Sequence, residues 1–129
     1  MSGYSNIAEL MKALAHPIRL QILEVLEEEG EACVCHLESR LNQRQAYISQ
    51  QLGRLRQAGL VEDRRDGLNV YYALTSVAVA PLLDQAKQVA SAISKAKGDE
   101  IAFEIIRPAH PEICTCPKCE QRMGTPVVQ

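Results

Sequence analysis

The sequence is poor in aromatic residues, with no Trp, one Phe and four Tyr among its 129 residues. Its apolar fraction is nevertheless 47%, so the core must consist mainly of Leu, Ile, Val and Ala. That composition favours helices packed through aliphatic side chains. The length fits one domain, and a chain this short gains stability by associating with a second copy.

Long apolar runs are also missing. No 18 consecutive residues are apolar, and residues 1–14 contain no apolar stretch of signal-peptide length. We therefore expect a cytoplasmic protein without a membrane segment. In the reducing cytosol, clustered cysteines bind metals or react more often than they form disulfides, which makes the five Cys of this chain candidates for chemistry.

A strong net charge is absent as well, since 14 Lys and Arg face 16 Asp and Glu. This balance excludes a protein that is basic over its whole surface, but it allows a local basic patch. Residues 40–65 contain six Arg and two acids, whereas residues 24–31 contain five Glu. The segregation predicts one surface suited to phosphate groups.

The order of predicted elements indicates a fold. Pro17 fits the first turn of a helix and Gly30 fits its end. Asp66 and Gly67 predict the tight turn of a β-hairpin between two alternating segments. Helix, short turn, helix and hairpin form the winged helix-turn-helix plan, a mainly α fold with a small β-hairpin. Apolar spacing places the helices at about residues 5–15, 17–29, 33–41, 45–58 and 79–97.

The fourth predicted helix would present polar side chains opposite its apolar stripe, and such a helix fits the major groove of double-stranded DNA, which is about 12 Å wide. A Gln there can pair with adenine through two hydrogen bonds. Two arginines at the hairpin could bind phosphates or enter the minor groove. The predicted DNA-binding residues are Gln45, Tyr47, Ser49, Gln50, Arg54, Arg64 and Arg65, and Gln51 is expected on the same exposed helix face.

The cysteines form two clusters. Cys33 and Cys35 lie where the short third helix begins, and a helix N-terminus favours the thiolate form that binds metals. The other cluster has Cys-x-Cys-x-x-Cys spacing near the C-terminus, with His110 as a possible further ligand. Three closely spaced thiols suit thiophilic ions. The predicted metal ligands are Cys33, Cys35, Cys114, Cys116 and Cys119.

Four segments resemble the ArsR/SmtB family of metal-responsive repressors. They are residues 13–23 (ALAHPIRLQIL), 48–61 (ISQQLGRLRQAGLV), 64–72 (RRDGLNVYY) and the Cys-containing box at 33–37 (CVCHL). The resemblance covers about residues 5–97. It implies a homodimer formed through the first and last helices, which binds operator DNA when ligand-free and is released by an inducer.

Two positions depart from the family pattern. Arg44 stands where the family usually caps the recognition helix with Ser or Thr, and His36 replaces the usual Asp of the box. The last helix contains Asp84 but no His, so the zinc- or nickel-type site that some members carry there is expected to be missing. The thiols therefore favour cadmium, lead, zinc or trivalent arsenic as the inducer.

These observations divide the chain into a DNA-binding and dimerisation domain, residues 1–98, and a Cys-rich tail, residues 99–129. The two Cys clusters form either one site, within or between protomers, or two separate sites. The main alternative function is a repressor with a cysteine-based redox or reactive-sulfur switch. An interaction module with a structural zinc tail is another. We expect no enzymatic activity, because the sequence shows no redox Cys-x-x-Cys in a βαβ setting and no acid–base constellation.

Overall fold

The computed structural model describes residues 2–105. This part forms five helices and a three-stranded antiparallel sheet with strand order β1-β3-β2, which confirms the predicted winged helix-turn-helix class. None of the helices in residues 2–105 is long and apolar enough to cross a membrane. The elements are α1 (Gly3–Leu14), α2 (Pro17–Glu29), β1 (Ala32–Cys33), α3 (Val34–Leu41), α4 (Gln45–Gln57), β2 (Val61–Asp66), β3 (Asn69–Leu74) and α5 (Val79–Ala96).

Local sequence signals set the helix boundaries. The Ser2 hydroxyl accepts a hydrogen bond from the Tyr4 backbone N–H at 3.1 Å and caps α1. Pro17 is the first residue of α2, where its missing N–H has no helical partner to lose. Gly30 ends α2 with φ +83°, and Asn42 ends α3 with φ +53°. The left-handed Asn42 makes the tight turn that brings α3 and α4 together.

The core is aliphatic and centres on α2. This helix is buried on most of its circumference between Ile22 and Leu26. The α4 helix adds a narrower apolar stripe, which fixes the face that stays exposed. Each fully buried Leu or Ile contributes about 1.5–3 kcal/mol by removing apolar surface from water. The side chains of α2 and α4 with at most 1% exposure are Ile22, Leu23, Val25, Leu26, Ile48, Leu52 and Leu55.

The sheet differs from the predicted hairpin in two details. A short strand, β1, pairs with β3 and attaches the hairpin to the body of the domain, with Cys33 opposite Tyr71. The hairpin loop consists of Gly67 and Leu68, because Asp66 pairs with Asn69. The predicted Asp66-Gly67 turn is therefore displaced by one residue. Gly67, with φ +64°, occupies the first loop position, where a positive φ matches the twist of the strands.

Residues beyond α5 return to the body of the domain. Ala102 to Ile105 line an open groove between α2 and α5, with a volume of about 330 Å³. Ile105 packs against the main core. The predicted ligands Cys114, Cys116 and Cys119, and also His110, lie outside the described residues.

Candidate nucleic-acid interface and thiol pair

The predicted base-reading side chains share the exposed part of α4. Burial of Ile48, Leu52 and Leu55 orients the helix, and the residues predicted to contact DNA all remain exposed: Gln45, Tyr47, Ser49, Gln50 and Arg54. Arg44 precedes the helix without a side-chain capping bond. The backbone N–H groups of the first turn therefore remain available to solvent or to a phosphate.

Gln51 does not belong to this exposed face. Its side chain is only 8% exposed, and its Oε1 accepts a hydrogen bond from Arg19 Nε at 2.8 Å. Arg19 also donates from Nη1 to the Ala13 carbonyl at 3.1 Å, near the end of α1. The expectation that Gln51 lies on the reading face was wrong, because it falls on the Ile48–Leu52–Leu55 stripe. The Arg19–Gln51 pair instead links α2 to α4, the helix predicted to enter the major groove, and Arg19 also links both to the end of α1.

The β2–β3 hairpin is the wing of the fold, and its two arginines, Arg64 and Arg65, have different surroundings. Arg64 is opposite Tyr71 in the β2–β3 register, and Arg65 is opposite Val70. Neighbouring strand residues point to opposite faces of the sheet, so the two side chains diverge. Within residues 2–105, Arg65 makes no ion pair or ring contact, and it is exposed. It therefore remains able to bind a phosphate without breaking an existing contact.

Arg64 is held by contacts on several sides. Its Nη2 lies 2.6 Å from Glu31 Oε1 and its Nε lies 3.3 Å from Glu31 Oε2. Asp66 is 3.9 Å away, and the guanidinium carbon lies 4.9 Å from the centre of the Tyr71 ring. The hydrogen bond with Glu31 raises the pKa of Arg64, with further contributions from the nearby Glu31 and Asp66 charges. To bind DNA, Arg64 would have to leave these partners.

The structure brings Cys33 and Cys35 together. Their Sγ atoms are 3.4 Å apart. Cys33 is the N-cap residue of α3 and is 6% exposed, whereas Cys35 is half-buried in the first turn. The extended backbone of Cys33 followed by helix turns both side chains to one side, against the Tyr71 ring. The result is a sulfur pair at the junction of the short helix and the sheet.

The sulfur separation fits two ligands of one thiophilic ion. With metal–sulfur bonds of about 2.3 Å, sulfurs 3.4 Å apart subtend about 95° at the ion, somewhat less than the tetrahedral angle. Two thiolates do not complete the coordination of zinc, which takes four ligands. Among the described residues, no group of three or more His, Cys, Asp or Glu is arranged around a common metal position. Further ligands would have to come from elsewhere.

His36, the departure from the family box, takes part in an ion-pair cluster. Its Nε2 hydrogen-bonds Glu29, whose Oε2 also accepts from Arg40 Nη1 at 2.8 Å. Arg40 Nη2 reaches Glu28 at 3.1 Å. Sequence reasoning missed this cluster, for which the only signal was the run of five Glu in residues 24–31. The cluster fastens α3 to the C-terminal end of α2, where acidic side chains are otherwise unfavourable.

Comparisons with known proteins identify relatives of this chain. The model of a family described as bacterial regulatory protein, arsR family, matches residues 16–63, from the start of α2 into β2. A biofilm growth-associated repressor of Agrobacterium fabrum is 42% identical over 80 residues, which are 62% of this chain and 68% of that protein. The arsenical resistance operon repressor of Escherichia coli is 46% identical over 67 residues, which are 52% and 57% of the two chains.

The solved structure of Rv0081 from Mycobacterium tuberculosis superposes with a TM-score of 0.68 at 38% identity. The match covers 74% of this chain and 96% of that one. The likeness therefore extends beyond the helix-turn-helix to most of the described fold.

Proposed function

The chain belongs to the ArsR family of bacterial transcriptional regulators, and we propose that it is a repressor released from its operator when Cys33 and Cys35 bind a thiophilic ion. The family membership makes it a DNA-binding protein and not an enzyme. The identity of the ion, the residues that bind the ion and the residues that bind DNA are all part of the proposal. The observation that carries it is the 3.4 Å contact between the two sulfurs.

DNA binding is proposed to use α4 and the wing. The exposed N-terminal half of α4 inserts into the major groove, where Gln50 reads a base edge. Arg65 binds a backbone phosphate and contributes affinity that is independent of base sequence. This division follows from the exposure of Gln50 and from the lack of competing contacts around Arg65 in the described part of the chain.

A homodimer is part of the proposal, because α1 and α5 carry apolar faces that their own protomer does not cover. Residues spaced three or four apart on a helix share one face. Such positions on these two helices are occupied by large, exposed apolar side chains, between 47% and 86% exposed: Tyr4, Ile7, Met11, Val89 and Ile93. Burying these faces against a second copy would place the two α4 helices of the dimer about one DNA turn apart, roughly 34–36 Å.

The proposed location is the cytoplasm, because a bacterial repressor works where the DNA is.

The inducer is proposed to be cadmium, lead, zinc or trivalent arsenic, because sulfur ligands select soft ions. The name of the Escherichia coli relative, a repressor of an arsenical resistance operon, is consistent with the last of these. Cys114 follows Ile105 by nine positions, a span of at most about 32 Å. That length is comparable with the diameter of a 100-residue domain. Cys114, Cys116 and Cys119 can therefore complete the site or form one of their own.

The experiment is a titration of operator binding with cadmium, lead, zinc and arsenite, in a reductant that does not chelate them. The C33S/C35S double variant should bind operator like the wild type and should not respond to any ion. The C114S/C116S/C119S triple variant separates one site from two, since it loses the response only if the tail completes the site. Normal release of C33S/C35S by every effective ion would refute the proposal.

The second candidate is a sulfur-based switch, favoured by the same 3.4 Å contact, because two adjacent cysteines are readily oxidised once both are reduced. In this case a polysulfide accepts two electrons from two thiolates, which become linked through sulfur, and is itself reduced to shorter sulfides. Release of the wild type by polysulfide, without a response to any ion, would replace the metal proposal by this one.

A further inference from the structure

The sulfur pair is connected to the wing through one row of the sheet. Cys33 of β1 lies opposite Tyr71 of β3, and Tyr71 lies opposite Arg64 of β2. Residues directly opposite each other in antiparallel strands project their side chains from the same face. The three side chains are accordingly in sequence, with Tyr71 3% exposed against Cys33 and with Arg64 over its ring at 4.9 Å.

Glu31 holds Arg64, the last side chain of this row. It precedes β1 by one residue and binds Arg64 through both carboxylate oxygens, at 2.6 and 3.3 Å. Two carboxylate oxygens on one guanidinium fix its orientation more firmly than a single contact. The wing arginine is thus attached both to the ring that covers the sulfur pair and to the segment that leads into the sulfur pair.

Binding of an ion or of an extra sulfur atom at Cys33 and Cys35, called loading below, requires space that is already filled. Cys33 is 6% exposed and Tyr71 is 3% exposed, so the two side chains are in close contact. Protein interiors are packed as densely as organic crystals and leave few voids for an added atom. Because Cys33 is buried against the Tyr71 ring, we expect an ion about 2.3 Å from both sulfurs, or an extra sulfur atom between them, to push on that ring. Arg64 rests on that ring and moves with it.

We propose that Tyr71 and Arg64 transmit the inducer signal from Cys33 to the wing: while Arg64 stays bound to Glu31, a shift of the Tyr71 ring moves the β2–β3 hairpin and takes Arg65 away from its phosphate, so that loading of the sulfur pair weakens DNA binding. Glu31 is a positioning residue that keeps Arg64 attached to this route. The inference rests on the proposed inducer site at Cys33 and Cys35. The competing route runs through α3 into α4, since Cys33 also occupies the N-cap position of α3, and it does not involve the Tyr71 ring.

The test measures operator affinity of the full chain with and without a loading reagent, using cadmium and sodium polysulfide in separate arms. Loading itself is followed independently, by thiolate–cadmium absorption or by mass spectrometry. The wild type should weaken by about 5- to 150-fold when loaded. Tyr71→Leu should still load but should weaken less than about threefold. Tyr71→Phe, which keeps the ring, should respond like the wild type.

Glu31→Gln provides a second variant, which keeps the size of the side chain and removes its charge; urea unfolding of the variant checks that the fold is kept. It should load normally and lose at least half of the fold-change in affinity. Glu62→Gln is the matched control, since it makes the same change of charge on an exposed residue of the wing, and it should keep the full response. Each affinity ratio is taken within one variant, so changes in ligand-free DNA binding cancel.

A DNA-independent readout distinguishes the two proposals. The chain has no Trp, and Leu68 at the wing tip is fully exposed, so Leu68→Trp reports on the wing alone. Its emission or anisotropy should change on loading, and this change should disappear when Tyr71→Leu is added. Release from DNA without any change at Trp, or full release of loaded Tyr71→Leu, overturns the wing route and leaves the inducer site standing. A wild type that neither cadmium nor polysulfide releases overturns both.

Discussion

The adjacent residues Gln50 and Gln51 of α4 should have different functions, Gln50 in DNA binding and Gln51 in stability, and this difference tests the structure. Gln51 accepts a hydrogen bond from the Arg19 guanidinium at 2.8 Å and is 8% exposed. A hydrogen bond to a charged group contributes about 1.5–3 kcal/mol, and removing one partner leaves the other unsatisfied. Gln51→Ala should therefore reduce the free energy of unfolding by about 2 kcal/mol. For a domain of about 100 residues, this corresponds to a fall in Tm of roughly 8–16 °C.

Gln50→Ala is the matched variant on the same helix. Because Gln50 is exposed, its removal should change stability by no more than about 0.5 kcal/mol. If Gln50 reads a base, operator affinity should fall about 5- to 150-fold, equivalent to about 1–3 kcal/mol, while affinity for unrelated DNA stays the same.

The assays are urea unfolding followed by circular dichroism, at one protein concentration, and operator binding by fluorescence anisotropy, at one salt concentration. Equal urea midpoints for Gln51→Ala and Gln50→Ala would refute the assignment of the Arg19–Gln51 bond as a structural link. Equal operator affinity of Gln50→Ala and the wild type would refute the assignment of Gln50 as a reader.

Three further predictions concern the wing, the glycines and the dimer. Arg65→Ala should weaken binding to operator and unrelated DNA alike, and should lower the slope of log affinity against log salt by about one, as a salt titration would show. Gly67→Ala should reduce stability by about 1–2 kcal/mol because of its φ of +64°, whereas Gly53→Ala, within α4 and with open space around an added Cβ, should increase stability by up to about 1 kcal/mol in urea unfolding. Ile93→Glu should convert a dimer into a monomer in light scattering; a wild-type monomer at micromolar concentration would contradict the dimer.

Sequence reasoning located the elements well because their signals are local. Pro17 and Gly30 bound α2, and the alternation on each side of Gly67 marks the wing. The β1 strand gave no such signal: two residues are too few for a pattern, and its pairing with β3 joins positions almost forty residues apart. Whether Cys33 contacts Tyr71 is decided by this pairing, so the sequence alone could not place the sulfur pair against the wing.

The error at Gln51 had a signal that could have corrected it. Gln51 follows Ile48 by three residues and precedes Leu55 by four, which places it on the apolar stripe of α4. A polar residue there needs a partner, but nothing local identifies Arg19, which is 32 residues away. Similarly, strand alternation predicts that Arg64 and Arg65 diverge, whereas the contact with Glu31 depends on tertiary structure.

The α5 helix has a consequence for how the protein responds to its own abundance. It contains 18 residues, but its only buried side chains are Val79 and Leu83, both in its first five positions. Its turns beyond Ala90 therefore have little packing in the protomer to oppose fraying, and their backbone amides should exchange with solvent rapidly when the chain is alone. In the proposed dimer these turns become protected, so the folded population rises with concentration by mass action. A newly made repressor at low copy number would thus be less ordered and more open to proteolysis than one that has found its partner.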